Sequence, residues 1–403
     1  MRKVKPTNLL CFALERSLCR KLTVMPSSAA VSRVSWVDAA KGLCILLVVL
    51  MHATLGVEKA TGETTALNGF IEWARPFRMP DFFLISGLFL AARISRPWPQ
   101  YLDTKVVHFA YFYVLWLSIQ FALKAYGMVQ AEGLQATGQA FLTGLVQPWG
   151  TLWFIYMLAV FFVVAKVTEG LPKALVWTAA ALGYLFIPHT GLLVADEFAA
   201  RFVFFYTGYW AAPLIFRFAA WISERPGALV VSVLAAWGMA NWALVANGMA
   251  FVKGADLIVS YAGVGAVIAF SVLVSGHVLG RGLSVLGRQS IVIYLAFPLF
   301  MGPARIAALK FEPLMPAWGA ALISTVAGVL GALVLARLVR GTRFDFLFER
   351  PAFWRLRTTP KATAAFKDRI AKISRRAEVS LRTAAQPGAL PSTTDFNAAR
   401  PCS

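Results

Sequence analysis

The residues best suited to chemistry form a polar stripe in the first apolar segment, residues 35–57. Lys41 and His52 are eleven residues apart, so they lie about 20° apart on one helix face, and Asp38 lies within about 60° of both. A rise of 1.5 Å per residue sets His52 about 16 Å along the axis from Lys41. A buried imidazole near a cation favours its neutral form, which can accept a proton as a general base. For Asp38 and Lys41, a boundary pair that extends to water is an equally open interpretation.

A second polar cluster lies in the next apolar segment, around Arg78. The Arg78 guanidinium stays charged and can donate several hydrogen bonds to a carbonyl or phosphate oxygen. Pro80 predicts that the helix kinks or starts anew, and irregular backbone at membrane depth requires protein or a water-filled cavity beside it. Ser86 follows in the same block. The alternative is that Arg75 and Arg78 mark the outer end of the helix.

Two further groups stand at the starts of later helices. Lys105 and His108, one turn apart with Tyr113 beyond them, could grip a phosphorylated ligand, although basic residues at a cytoplasmic boundary need no function. Ser290 opens the ninth apolar segment, where a serine can be a simple N-cap. Tyr294 follows one turn later and is predicted to face inward.

The sequence gives no sign of a metal or a bound cofactor. It contains no metal-ligand or phosphate-cradling motif, and we expect neither metal nor resident cofactor. Its four cysteines lack metal-ligand spacing and imply no disulfide framework. They are Cys11, Cys19, Cys44 and Cys402.

The composition predicts an all-α integral membrane protein. Of the 403 residues, 59% are hydrophobic and 14% are charged, against about 25% charged in soluble domains. The net charge of +20 is concentrated at both ends of an apolar middle. Such ends suit the anionic inner leaflet of a membrane better than nucleic acid, so we expect lipid contact and no nucleic-acid partner.

About ten segments are long and apolar enough to span a bilayer. They are 35–57, 70–92, 106–126, 149–166, 171–189, 199–219, 227–246, 255–275, 284–303 and 316–339. With both termini cytoplasmic, most basic loop residues fall inside, as the positive-inside rule requires. The outer loops then hold only Lys59, Lys253, Arg305 and Lys310.

The predicted organisation has three parts. Residues 1–33 form a basic cytosolic arm, in which Met25 offers an alternative start. Residues 34–340 form a ten-helix membrane domain, and residues 341–403 form a basic cytosolic tail that we expect to be disordered in large part.

Taken in order, these clusters resemble the acyltransferase 3 family of integral membrane acyltransferases, and within it the fucose 4-O-acetylase-like sugar acetyltransferases. The first block is a basic residue, ten residues and a histidine, here Lys41 and His52. Further matching blocks are Arg78–Gly87, Leu152–Phe154, Phe205–Tyr209 and Gly287–Leu295. Two positions depart from the family pattern. Lys105 and His108 stand where an arginine pair is common, and the late histidine of many members is absent, with Phe297 nearby.

The resemblance implies transfer of an acyl group, most often acetyl from cytosolic acetyl-CoA, to a hydroxyl of a cell-envelope glycan or similar acceptor at the inner (plasma) membrane. The catalytic residues would be His52 as base or transient acyl carrier, Arg78 as oxyanion stabiliser and Asp38 as orienting group. The donor's phosphates would bind near Lys41, Lys105 and His108. The supporting residues would be Ser86, Tyr113, Ser290 and Tyr294.

A secondary transporter or flippase is the alternative from another functional class. Broken helices and buried charges are expected there too. The concentration of polar residues near the first three helices and the lack of a visible internal repeat favour the acyltransferase.

Overall fold

The computed structural model describes residues 34–311 and 315–356, and this part of the chain is helical without a strand. The expected all-α class is therefore confirmed. The predicted N-terminal arm, residues 1–33, lies outside the described residues, as does the part of the predicted tail after residue 356.

The longer helices follow one another along the chain, and most are joined by short connections. In chain order they are α1 Ser35–Thr61, α2 Asn68–Gly87, α3 His108–Glu132, α4 Leu134–Val146, α5 Trp153–Val167, α6 Lys173–Phe186, α7 Leu193–Trp210, α8 Ala212–Ser223, α9 Gly227–Ala246, α10 Ala255–Val274, α11 Val278–Arg288, α12 Ser290–Leu309 and α13 Ala317–Val339. Between α2 and α3 lie the short helices Ala91–Ile94 and Trp98–Leu102 and a π-helix, Asp103–Val107.

Seven helical stretches in the described residues are long and apolar enough to cross a membrane. They are Ser35–Thr61, Trp98–Glu132, Leu134–Val167, Gly227–Ala246, Ala255–Val274, Ser290–Leu309 and Ala317–Val339. Helices α6 and α8 are apolar but shorter, while α2 and α7 carry several charged residues. A multi-pass membrane protein is thus established, and the count of ten spans with both termini inside stays a prediction.

Helix α1 lies at the centre of the fold, packed against α2, α10, α11, α12 and α13. The backbones of α1 and α11 cross in direct contact at two glycines, Gly42 on α1 and Gly287 on α11. A methyl group on Gly42 would overlap the carbonyl oxygen of Leu283, and one on Gly287 would overlap the carbonyl oxygen of Asp38. Small residues allow such close approach between membrane helices. The crossing fixes the end of α1 that carries Lys41.

Helix α2 runs without a break through Pro76 and Pro80. Of the two alternatives expected at Pro80, a kink or a new helix, the new helix is therefore wrong. Proline lacks the N–H that would bond to the carbonyl four residues earlier, here that of Pro76. The Ser260 hydroxyl on α10 donates to this carbonyl at 2.6 Å instead. A tertiary hydrogen bond therefore replaces the missing helical one.

After α13 the chain turns back onto the bundle. Residues 341–356 contain two short 3₁₀ turns, Asp345–Leu347 and Ala352–Trp354. The hydroxyl of Tyr111 donates to the carbonyl oxygen of Phe346 at 2.8 Å, so this segment packs on α3. The expected tail thus begins with an ordered stretch.

Candidate active site

A cavity of about 400 Å³ opens beside the end of α1 that is predicted to face the cytoplasm. Asp38 and Lys41 line it together with Arg93, Arg288 and Ser290. Three cations and one carboxylate give the cavity a positive balance suited to phosphate groups. The sequence did not single out Arg93 or Arg288 for this cavity, because each comes from a different part of the chain.

His52 lies further along α1 and is partly buried. Its ring centroid is 5.5 Å from that of Phe297 on α12. The Arg78 guanidinium acts electrostatically on the imidazole. The structure therefore brings together His52 and Arg78, the two residues predicted to do the chemistry.

Arg78 is 6% exposed on α2. One terminal nitrogen donates to the carbonyl oxygen of Ile71 at 3.2 Å, and Nε has no hydrogen-bond partner in the described part of the chain. A buried donor without a partner is costly, and it can hydrogen-bond to an oxygen that develops negative charge.

Asp38 lies away from the histidine. The two are about 21 Å apart along α1, and Asp38 lines the cavity at the Lys41 end. The geometry puts the Asp38 carboxylate on the side where the donor was predicted to bind.

Asp81 received no role from the sequence. It is 1% exposed, and neither carboxylate oxygen has a hydrogen-bond partner among the described residues. It stands one turn from Arg78, but its carboxylate accepts no hydrogen bond from that guanidinium, and it acts electrostatically on Cys44 of α1. The sequence did contain a signal for Asp81, because a charged residue stands there between Pro80 and an apolar run. An ionisable group inside a membrane span is costly and is therefore a candidate functional residue.

Lys105 is within electrostatic reach of residues that line the cavity, and His108 is within reach of Lys105. The Lys105 ammonium is 4.1 Å from the ring centroid of Phe162 and within the electrostatic influence of Lys41 and Arg93. His108 packs with its ring centroid 5.0 Å from that of Phe112. The Lys105 ammonium extends the positive region that starts at Lys41, and His108 packs next to it.

The hydroxyls of three predicted supporting residues are bonded to backbone carbonyls. Ser86 donates to Phe82 at 2.7 Å, Tyr113 donates to Gly144, and Tyr294 donates to Thr151. The two tyrosine bonds join separate segments of the chain, while the Ser86 bond lies within α2. The fourth, Ser290, is itself the first residue of α12 and lines the cavity with Lys41, so it is not an N-cap.

A second polar cavity, of about 370 Å³, opens near the other end of α2. Its charged lining residues are Arg75, Asp196, Glu197, Arg201, Lys253 and Asp256, with His189 beside them. Pro76 also lines it, and Arg201 acts electrostatically on Arg78. Pro76 and the C-terminal residue of α2, Gly87, are roughly 16 Å apart along the helix, and Phe89, which borders the first cavity, follows two residues later. Within the described residues, no three His, Cys, Asp or Glu side chains gather as metal ligands.

The bundle contains helices long enough to cross a bilayer, a partly buried histidine within electrostatic reach of a buried arginine, and two polar cavities. These features define a multi-pass membrane protein with internal polar groups. The match to the acyltransferase domain covers residues 34–337, and the chain therefore belongs to the acyltransferase 3 family. The finer assignment to the fucose 4-O-acetylase-like branch stays a prediction.

The chain is also similar to the inner membrane protein YcfT of Escherichia coli (strain K12). The two are 26% identical over 235 residues, which is 51% of this chain and 64% of that protein. The match thus spans less than two thirds of the relative's length. No solved structure matches the chain.

Proposed function

We propose that this membrane protein is an O-acyltransferase. It moves an acetyl group from acetyl-CoA to a hydroxyl of a cell-envelope glycan or other sugar-containing acceptor. The observation that carries the proposal is the partly buried His52 within electrostatic reach of Arg78, whose buried Nε has no hydrogen-bond partner among the described residues. Family membership supports acyl transfer as the reaction class.

The donor binds at the cavity lined by Lys41, Arg93 and Arg288. Guanidinium and ammonium groups bind phosphate oxygens through charge-assisted hydrogen bonds, and CoA carries several phosphates. Lys105 extends this positive region, and the neutral imidazole of His108 can add a hydrogen bond to a phosphate oxygen. The thioester then reaches along α1 toward His52, a distance of about 16 Å.

The acceptor enters from the second cavity, next to Arg78. His52 takes the proton from the acceptor hydroxyl while the hydroxyl oxygen attacks the thioester carbonyl carbon. Arg78 donates to the oxyanion of the tetrahedral intermediate, whose collapse breaks the carbon–sulfur bond. The CoA thiolate leaves and takes the proton from the imidazolium. In the variant of this route, His52 first accepts the acyl group itself and then passes it to the hydroxyl.

The protein works in this proposal as a multi-pass component of the inner (plasma) membrane. The printed description of YcfT as an inner membrane protein supports that location. The basic residues at both ends of the chain contact anionic lipids of the inner leaflet.

The test compares His52→Ala and Arg78→Lys with the wild type in membranes at equal protein level. The assay follows CoA thiol release from acetyl-CoA and ester-linked acetate on envelope sugars. Loss of the base lowers turnover about 10²–10⁴-fold, and the lysine, which lacks the fork of donors, lowers it about 10²-fold or more. Met51→Ala, a neighbour on another face of α1, serves as the control.

Three outcomes separate the possibilities. Wild-type activity in His52→Ala contradicts the mechanism but leaves the reaction class standing. Absence of thiol release with every acyl-CoA tested contradicts the proposed function. Movement of a substrate across the membrane without thiol release supports a secondary transporter or flippase instead.

A further inference from the structure

The ordered stretch after α13, residues 341–356, is called the C-terminal strap below. It binds α3 through backbone carbonyls: the Trp116 indole donates to Leu347 at 2.9 Å, beside the Tyr111 bond to Phe346. The ring centroids of Trp116 and Phe348 are 5.5 Å apart. The strap is therefore attached to the helix that begins at His108.

The strap also holds Asp103 at three atoms. Arg350 donates to the Asp103 carbonyl oxygen at 2.8 Å and to one carboxylate oxygen at 2.7 Å. The backbone N–H of Leu356 donates to the other carboxylate oxygen at 2.7 Å. The side chains of Arg350 and Asp103 are only 8% and 14% exposed, so solvent screens this ion pair weakly.

Asp103 is the first residue of the π-helix Asp103–Val107, and Lys105 lies in the middle of it. A π-helical turn is rare and occurs often at functional sites, and contacts from outside the turn help to hold it. The turn directs Lys105 onto Phe162, within the electrostatic influence of Lys41. The Arg350 charge also acts on His108, the residue that follows the turn.

We infer that Arg350 is a positioning residue for acyl-donor binding. By holding Asp103, the C-terminal strap fixes the π-helix and keeps Lys105 at the edge of the cavity lined by Lys41 and Arg93. The inference rests on the proposed function, because it assigns the donor's phosphates to this positive region. It adds a dependence of donor affinity on a segment that lies outside the matched family domain, which ends at residue 337.

The test measures donor KM, acceptor KM and kcat, together with the Kd of CoA alone, for Arg350→Ala in the full-length purified protein. Losing a charge-assisted hydrogen bond that is shielded from solvent changes an equilibrium constant by about tenfold. We expect donor KM and CoA Kd to rise about tenfold, with kcat and acceptor KM unchanged. Arg343→Ala, which removes an exposed strap arginine, is the matched control.

Two further variants separate positioning from a general loss of structure. Asp103→Asn keeps the size and an acceptor oxygen, so it folds while weakening the bond to Arg350. In the double variant Arg350→Ala with Lys105→Ala, donor KM should equal that of Lys105→Ala alone, because the strap acts through Lys105. Additive effects, or an Arg350→Ala variant that matches Arg343→Ala, overturn the inference.

Failure of the proposed function is distinguishable from failure of this inference. If the wild type binds CoA without transferring an acyl group, the proposed reaction fails. A higher Kd for CoA in Arg350→Ala than in the wild type would still support the positioning role. If the wild type transfers acyl groups and Arg350→Ala has the same donor KM and Kd, only the inference fails.

Discussion

The glycine crossing of α1 and α11 makes a quantitative prediction for Gly287→Ala. The added methyl would overlap the Asp38 carbonyl oxygen and lie 2.8 Å from the Asp38 carbonyl carbon and 2.9 Å from the backbone nitrogen of Gly42. These neighbours are backbone atoms, which cannot rotate away as a side chain can. The two helices must therefore move apart.

The expected cost follows from two opposing terms. Overpacking a well-packed interior costs about 1–3 kcal/mol, and contact with backbone places this case near the upper end. Alanine gains about 1 kcal/mol over glycine in helix propensity. The net loss of stability is therefore about 2 kcal/mol. Because Asp38 and Arg288 line the donor cavity on the two sides of the crossing, donor KM should rise as well.

The assay compares the melting temperature in detergent and the donor KM of Gly287→Ala with those of Gly282→Ala. Gly282 lies in the same helix, and a methyl group there meets no atom within 4 Å. Gly282→Ala should be as stable as the wild type or more stable, with unchanged donor KM. Equal stability and equal KM in the two variants would refute the close approach of the backbones.

Two other substitutions test buried polar groups. Ser260→Ala leaves the Pro76 carbonyl without its donor and should destabilise the protein by about 1–3 kcal/mol in a thermal melt. Ser271→Ala on the same helix, whose buried hydroxyl has no partner among the described residues, should be neutral, and an equal loss in both contradicts the role of the Ser260 bond. Asp81→Leu replaces a buried carboxyl without a hydrogen-bond partner and should raise the melting temperature while lowering turnover. A lower melting temperature would show that the carboxyl stabilises the fold.

The sequence points to candidate residues where the determining interactions are local. The angular relation of Lys41 and His52 follows from helical period alone, and Lys41 lines a cavity with Arg93 and Arg288. The roles assigned to these residues stay predictions. Arg78 was identified because a cation inside a span is costly. Its position near His52 depends on how α1 and α2 pack, which the order of the motifs indicated only through the family resemblance.

The parts that the sequence could not predict depend on residues distant in the chain. Pro80 predicts a break because proline removes a hydrogen bond, but the replacement donor, Ser260, lies 180 positions away. The Arg350 contact with Asp103 joins two segments that have no shared periodic pattern. Composition alone marked the start of the tail as polar and basic, and it could not show that aromatic residues there pack on α3.

The crossing at Gly42 and Gly287 also constrains how the donor cavity can change size. The two backbones are already in contact, so the wall formed by α1 and α11 can neither collapse inward nor carry larger side chains at those positions. The cavity is also lined by Phe89, Ala92 and Arg93, which follow the end of α2. Adaptation to a donor with a different phosphate-bearing part, in an evolved or engineered variant, should therefore arise through substitutions in residues 89–93, while the glycine wall stays constant.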